Sequence, residues 1–154
     1  SEILKRQMAV KRRPLWLMQF KAASMSKKII ILNGSPRKHG NTSALTASFA
    51  KGAVQAGNQV TEFHLSGMKI NGFDRVFAIA ECDPNYRNPK KQSVLIMAAE
   101  GAGFEESEHW YDHLKKHIGW QSLGKVLCGY VTQPGDIEGK KELNDAYELG
   151  KSIK

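Results

Sequence analysis

Between Gly34 and Ser43 the sequence reads Gly-Ser-Pro-Arg-Lys-His-Gly-Asn-Thr-Ser, a run in which most residues can either donate to an anion or let the backbone approach one. Ser35, Thr42 and Ser43 carry hydroxyls, Asn41 an amide, and Arg37 a planar cation that can bond two oxygens of one phosphate. Gly34 and Gly40 permit sharp turns and close approach of the main chain. If the run opens a helix, the unpaired N–H groups and positive dipole end of its first turn add a further pull on negative charge. The spacing is neither the GxxxxGK[ST] of nucleoside-triphosphate loops nor the GxGxxG of dinucleotide folds. It is a phosphate loop of another kind.

Such a loop must be held between a strand and a helix, and the flanking residues supply both. Ile29 to Asn33 is a continuous apolar run, expected to be a strand buried on both faces. Asn41 or Thr42 can cap a helix in which Leu45, Phe49, Ala53 and Ala56 recur at helical spacing, with Gly57-Asn58 as its stop. Gln59 to Leu65 reads as a second strand and completes a βαβ unit. Phe73, Val76, Phe77 and Ala80 mark a short amphipathic helix ended by Asp83-Pro84. Ser93 to Ala99 is the next strand, followed by the small-residue loop Glu100 to Gly103 and a helix lined by Phe104, Tyr111, Leu114 and Ile118. Lys125 to Val131 gives a fourth strand, Gln133 to Asp136 a turn, and Leu143, Ala146, Gly150 and Ile153 a closing helix. Strands alternating with helices imply a parallel sheet with right-handed crossovers.

The 154 residues suit one domain, and no apolar run approaches the ~18 residues of a membrane-spanning helix. The net charge of +8 is concentrated at the start: residues 1–28 hold eight Lys or Arg and one acid, leaving fifteen basic and fourteen acidic side chains elsewhere. A nearly neutral body argues against a nucleic-acid face. Residues 1–24 read as a basic, poorly ordered N-terminal extension to a domain over 25–154, because Met25-Ser26-Lys27-Lys28 resembles a protein start running into the first strand. Their Arg/Lys content and the patch Leu15 to Met18 are also compatible with a transit peptide. Cys82 and Cys128 are too few for a disulfide framework and stand in no CxxC pair, so they read as buried thiols in a reducing, cytoplasmic setting. His109, His113 and His117 recur every four residues, a spacing open to metal ligation. Glu108, Asp112, Lys115 and Lys116 nearby make an exposed charged surface the favoured reading, and no metal ligand is assigned. Trp110 and Trp120 read as packing residues.

The run Gly34-Ser35-Pro36-Arg37…Gly40-Asn41-Thr42-Ser43 resembles the signature of the NAD(P)H-dependent FMN reductase and iron–sulfur flavoprotein branch of the flavodoxin-like superfamily. The tail pattern Pro134-Gly135-Asp136-Ile137…Leu143…Ala146…Leu149-Gly150 extends the resemblance. It implies an α/β, flavodoxin-like three-layer sandwich with a parallel sheet, with FMN as cofactor and NAD(P)H as co-substrate. It further implies electrons passed to a small-molecule or protein acceptor, and a possible homodimer. Ser35, Arg37, Asn41, Thr42 and Ser43 would contact the FMN phosphate, and Gly101 would approach the flavin. No catalytic side chain is assigned, because the cofactor carries the difficult chemistry. One departure stands out. Ile70-Asn71-Gly72 runs directly into Phe73-Asp74-Arg75, where the family has a loop, a helix, a central strand and an aromatic loop against the ring. The sheet is therefore expected to be shortened to about four strands, with the ring site lacking one wall. The alternative function is a non-catalytic phosphate-binding or interaction module that has lost the isoalloxazine site; the apolar stretch Leu15 to Phe20 is a candidate substitute strand.

Overall fold

Alternation along the first strand decides how it is packed. The computed structural model describes residues 26–66 and 89–154, and in it Lys28–Asn33 forms β1. Ile31 and Asn33 are buried, while Ile30 and Leu32 on the other face are 61% and 66% exposed. Among the described residues, the strand expected to be buried on both faces is thus covered on one face only. Two helices supply that cover.

The first, α1 (Asn41–Gln55), buries Leu45, Phe49, Gly52 and Ala53, a stripe at helical spacing facing the strands. Gly40, not Asn41 or Thr42, takes the cap position, and no side chain caps the helix. The first intrahelical bond runs from the Ala44 N–H to the Gly40 carbonyl. The chain turns out at Gly57, whose φ of 90° suits a residue without a side chain. It then enters β2 (Gln59–His64), which lies parallel to β1 in the register Lys28↔Gln59 to Asn33↔His64.

The second half repeats the pattern with β3 (Gln92–Ala98), α2 (Glu105–Ile118), β4 (Gln121–Cys128) and α3 (Lys141–Ser152). Gly119, at φ 72°, stops α2. β4 starts four residues before the expected Lys125 because a register shift at Ser93/Val94 lets Gln121 and Ser122 pair with Gln92 and Ser93. It ends three residues early because Tyr130 takes a left-handed backbone, φ 59°, and turns the chain.

α1 and α3 lie together beneath the strands. Their contact, with Ile31, Val126, Cys128, Val131 and Ile137, makes the main core. α2 lies on the opposite side, over β3 and β4, where the Tyr111 hydroxyl bonds Ser93 Oγ (2.8 Å) and Ser122 Oγ (3.1 Å). Lys125 reaches both Glu108 and Asp112 on α2, at 3.1 Å each. Hydrogen bonds from Lys115 and Lys125 hold the Asp112 carboxyl below the ordinary carboxylate range. The described residues are therefore three-layered with four parallel strands, as expected, but among them the strands form two hydrogen-bonded pairs, β1–β2 and β3–β4, and not one sheet. Among the described residues no backbone bond joins β1 to β3; a side-chain bond from Lys27 Nζ to Gln92 Oε1 (2.8 Å) links their amino ends.

The N-terminal extension, Cys82 and the helix expected around Phe73 to Ala80 lie outside the described residues. No described helix is long and apolar enough to cross a membrane.

Candidate functional site

At the carboxyl end of β1 the side chain of Asn33, 1% exposed, organises the following turn. Its Oδ1 accepts the Ser35 N–H at 2.9 Å, the local bond by which Asn sets a turn two residues on. Its Nδ2 donates to Glu62 Oε1 (2.9 Å) and lies 3.2 Å from Ser43 Oγ. Glu62 on β2 also accepts from Thr46 Oγ1 at 3.1 Å. Strand, turn and helix are thereby pinned at one polar point.

From that anchor the loop curls around the Arg37 carbonyl, which accepts from the Gly40 N–H (3.2 Å), the Ser35 hydroxyl (3.0 Å) and the Ser43 hydroxyl (3.1 Å). A Cβ at Gly40 would sit 3.2 Å from the Arg37 Cβ and 3.4 Å from Ser35 Oγ, so a side chain fits in this cradle only if its neighbours give way. Asn41 and Thr42, in the first turn of α1, border the same place.

The opposing wall comes from the loop after β4. Arg37 Nη1 approaches the Thr132 carbonyl at 3.4 Å. Asn41, buried, donates from Nδ2 to the Gln133 carbonyl (2.9 Å) and accepts at Oδ1 from the Gly135 N–H (3.2 Å). Asp136 folds the loop from within, its Oδ2 accepting the N–H groups of Thr132 (2.8 Å) and Gln133 (2.7 Å). Those bonds, from Gln133 and then Thr132, hold its carboxyl below the ordinary range.

The two walls border an open cavity of about 180 Å³ lined by Ser35, Arg37, Gly40, Thr42, Ala98 and Thr132 among others. Sites for whole drug-sized ligands run ~300 to 1,000 Å³, so this cavity has room for only one end of such a ligand. Its donor set, hydroxyls, a guanidinium and helix-terminal N–H groups, suits a phosphate monoester.

Of the residues expected to bind phosphate, the fold brings Ser35, Arg37, Asn41 and Thr42 to the cavity, with Ser43 one step behind on the Arg37 carbonyl. Gly101 is not among the lining residues; it is exposed and its carbonyl packs where a Cβ on Gly129 would be, 2.9 Å away. Asn33, Ala98, Val131 and Thr132 were not anticipated. The Asn-Gly-Ser sequence carried a turn signal for Asn33; nothing local marked Val131 and Thr132, which arrive through tertiary contact.

The other sequence candidates settle elsewhere. His109 and His113 are exposed, their rings 4.5 Å apart, and the described residues contain no group of three His, Cys, Asp or Glu able to hold a metal. Trp110, 53% exposed, borders an apolar cavity with Leu95 and Met97. Cys128 is fully buried and free, and burial pushes its thiol pKa up.

A family model described as NADPH-dependent FMN reductase matches residues 27–103, half of the chain. Among solved structures, the chain is similar to the NAD(P)H:quinone oxidoreductase from Methanothermobacter marburgensis, with a TM-score of 0.58 and 12% identity. That likeness covers 84% of this chain and 100% of the other, and at such identity it concerns the fold, which is flavodoxin-like. No curated protein matches.

Proposed function

The chain belongs to the NADPH-dependent FMN reductase family, and from that premise we propose that it binds FMN by the phosphate and acts as an NAD(P)H-dependent flavin oxidoreductase. The observation that supports this reading is the cavity between the Ser35–Thr42 turn and Thr132, whose donors fit a phosphate monoester and whose turn at Gly40 leaves little room for a side chain. Bound there, FMN would supply the redox chemistry, taking hydride from a reduced nicotinamide and passing electrons to a small-molecule or protein acceptor.

The protein's own part is binding and orientation. Arg37 supplies the charge. The Ser35 and Ser43 hydroxyls, which now point at the Arg37 carbonyl, can rotate toward phosphate oxygens. Thr42, whose hydroxyl has no hydrogen-bond partner among the described residues, offers a further donor.

The decisive experiment is a flavin-fluorescence titration of the whole chain with FMN and, in parallel, riboflavin. Preference for FMN supports the phosphate site, and NAD(P)H oxidation by the FMN-loaded chain supports the activity. Arg37→Ala should weaken FMN binding by about 1.5 to 3 kcal/mol, the usual worth of a hydrogen bond to a charged group, while leaving riboflavin unaffected. An unchanged FMN dissociation constant would remove the assignment.

A second reading draws on the separation of the two strand pairs. Ligands of such folds bind at the switch point of strand order, and there β1 and β3 share no backbone bond among the described residues. A phosphate-binding module without ring chemistry fits that feature. It would bind inorganic phosphate and FMN with similar affinity and oxidise no nicotinamide.

A further inference from the structure

Asn41 carries more than its place in the phosphate-loop run would suggest. Its side-chain amide spans from the first residue of α1 to a loop more than ninety residues away, and both polar atoms are engaged there. The pairing is directional: the oxygen meets an N–H and the nitrogen meets a carbonyl, so the amide fits in one orientation only. The side chain is buried at 8% exposure. Few other bonds bind this loop to the phosphate turn. Arg37 makes only a long contact to Thr132, at 3.4 Å, and the remaining internal order comes from Asp136 within the loop itself.

We propose that Asn41 is a positioning residue, which latches the Gln133–Gly135 segment against the phosphate turn so that Thr132 completes the second wall of the cavity beside Val131, which the Ala99 carbonyl and the core already hold. This deepens the phosphate-site reading and rests on it for its effect on ligand affinity. The latch holds the cavity closed on the side where the helix terminus alone would leave it open to water. Its contribution to affinity is indirect, because the amide already has partners before any ligand arrives. It also explains why an amide stands at the first helical position while the capping position goes to Gly40: the side chain is directed outward to the neighbouring loop, away from its own helix.

The test compares wild type, Asn41→Ala and Arg37→Ala as full-length chains. Hydrogen exchange without ligand should show the Gly135 amide exchanging much faster in Asn41→Ala, with the Leu45 and Phe49 amides of α1 still protected, and unchanged in Arg37→Ala. FMN affinity should fall in both variants, by about tenfold in Asn41→Ala if two hydrogen bonds of ordinary strength order the wall, with riboflavin affinity unaltered. Asn41→Ser, which is well tolerated near a helix start, repeats the comparison should the alanine variant unfold. Unchanged Gly135 exchange would overturn the latch. Faster exchange with undiminished FMN affinity would overturn the wall. Wild-type chain that ignores the phosphate of FMN would sink the functional reading instead, and the exchange result would still decide the latch.

Discussion

Asp136 illustrates how one side chain can set the shape of a binding wall without facing the ligand. Its carboxylate accepts two backbone N–H groups at short range, and these bonds favour the charged form. The sign of the pH effect follows. A carboxyl whose folded pKa lies below its unfolded value adds stability that is complete above the unfolded value, and that stability is lost as pH falls through the folded one. Asp136→Asn should therefore lower the urea midpoint at neutral pH, and the gap between variant and wild type should close in acid, as pH falls below the ordinary aspartate range. A gap that persists undiminished in acid would mean that the charge is not what folds the loop. Asp112, whose carboxyl Lys115 and Lys125 hold low, adds an effect of the same sign, whereas the Lys141–Asp145 pair lies on the surface, and exposed pairs are worth little.

Elements meet most closely where α1 crosses α3, through a reciprocal pair of glycines. A Cβ on Gly52 would collide with the Tyr147 carbonyl and lie 2.9 Å from the Lys151 nitrogen; a Cβ on Gly150 would collide with the Phe49 carbonyl and lie 2.9 Å from the Ala53 nitrogen. Backbone lies against backbone. Gly→Ala in a helix interior normally stabilises by about 0.5 to 1 kcal/mol, whereas forcing an atom into a packed contact costs about 1 to 3 kcal/mol. The second effect prevails here, because the obstructing atoms are main chain and cannot rotate away. Gly52→Ala and Gly150→Ala should each destabilise the chain in urea unfolding, and a stabilised variant would show that the helices can move apart. This contact also marks a limit of reading the sequence. Gly150 was legible as part of a helix stripe with Leu143 and Ala146, and Leu45, Phe49 and Ala53 as the face of α1, because period-3.6 spacing is local information. That Gly52 and Gly150 face each other is a property of two distant segments and has no local signal. The same division runs through the site: Ser35, Arg37 and Thr42 were legible as donors from their types and spacing, whereas the wall at Thr132 and the latch from Asn41 depend on tertiary placement. Strand ends were misjudged where Gly124 and the polar Gln121-Ser122 hid the start of β4.

Across the whole molecule, the layers are unequal, and β1 records it within three consecutive residues. Ile31 faces α1 and α3 and is 7% exposed, while its neighbours Ile30 and Leu32 face away at 61% and 66%. On that face α2 covers β3 and β4 through Tyr111 and Lys125, and Phe63 of β2 is also exposed. Burial predicts opposite outcomes for adjacent positions. Ile31→Ala removes packed methyl groups from the core and should cost about 2 to 5 kcal/mol. Ile30→Thr and Leu32→Thr alter side chains that gain little from folding and should fall within about 0.5 kcal/mol of wild type; of the two, the β-branched threonine is best matched to Ile30. Urea denaturation of the three single variants gives the comparison directly. If Ile30→Thr and Leu32→Thr cost as much as Ile31→Ala, β1 is covered on both faces in solution, which is the arrangement its uninterrupted Ile-Ile-Ile-Leu sequence leads one to expect of a strand central to a parallel sheet. If only Ile31 is costly, the two strand pairs stand as the fold has them, joined through α1 and α3, and the phosphate cavity is carried by a strand, β1, whose outward face adds little to stability.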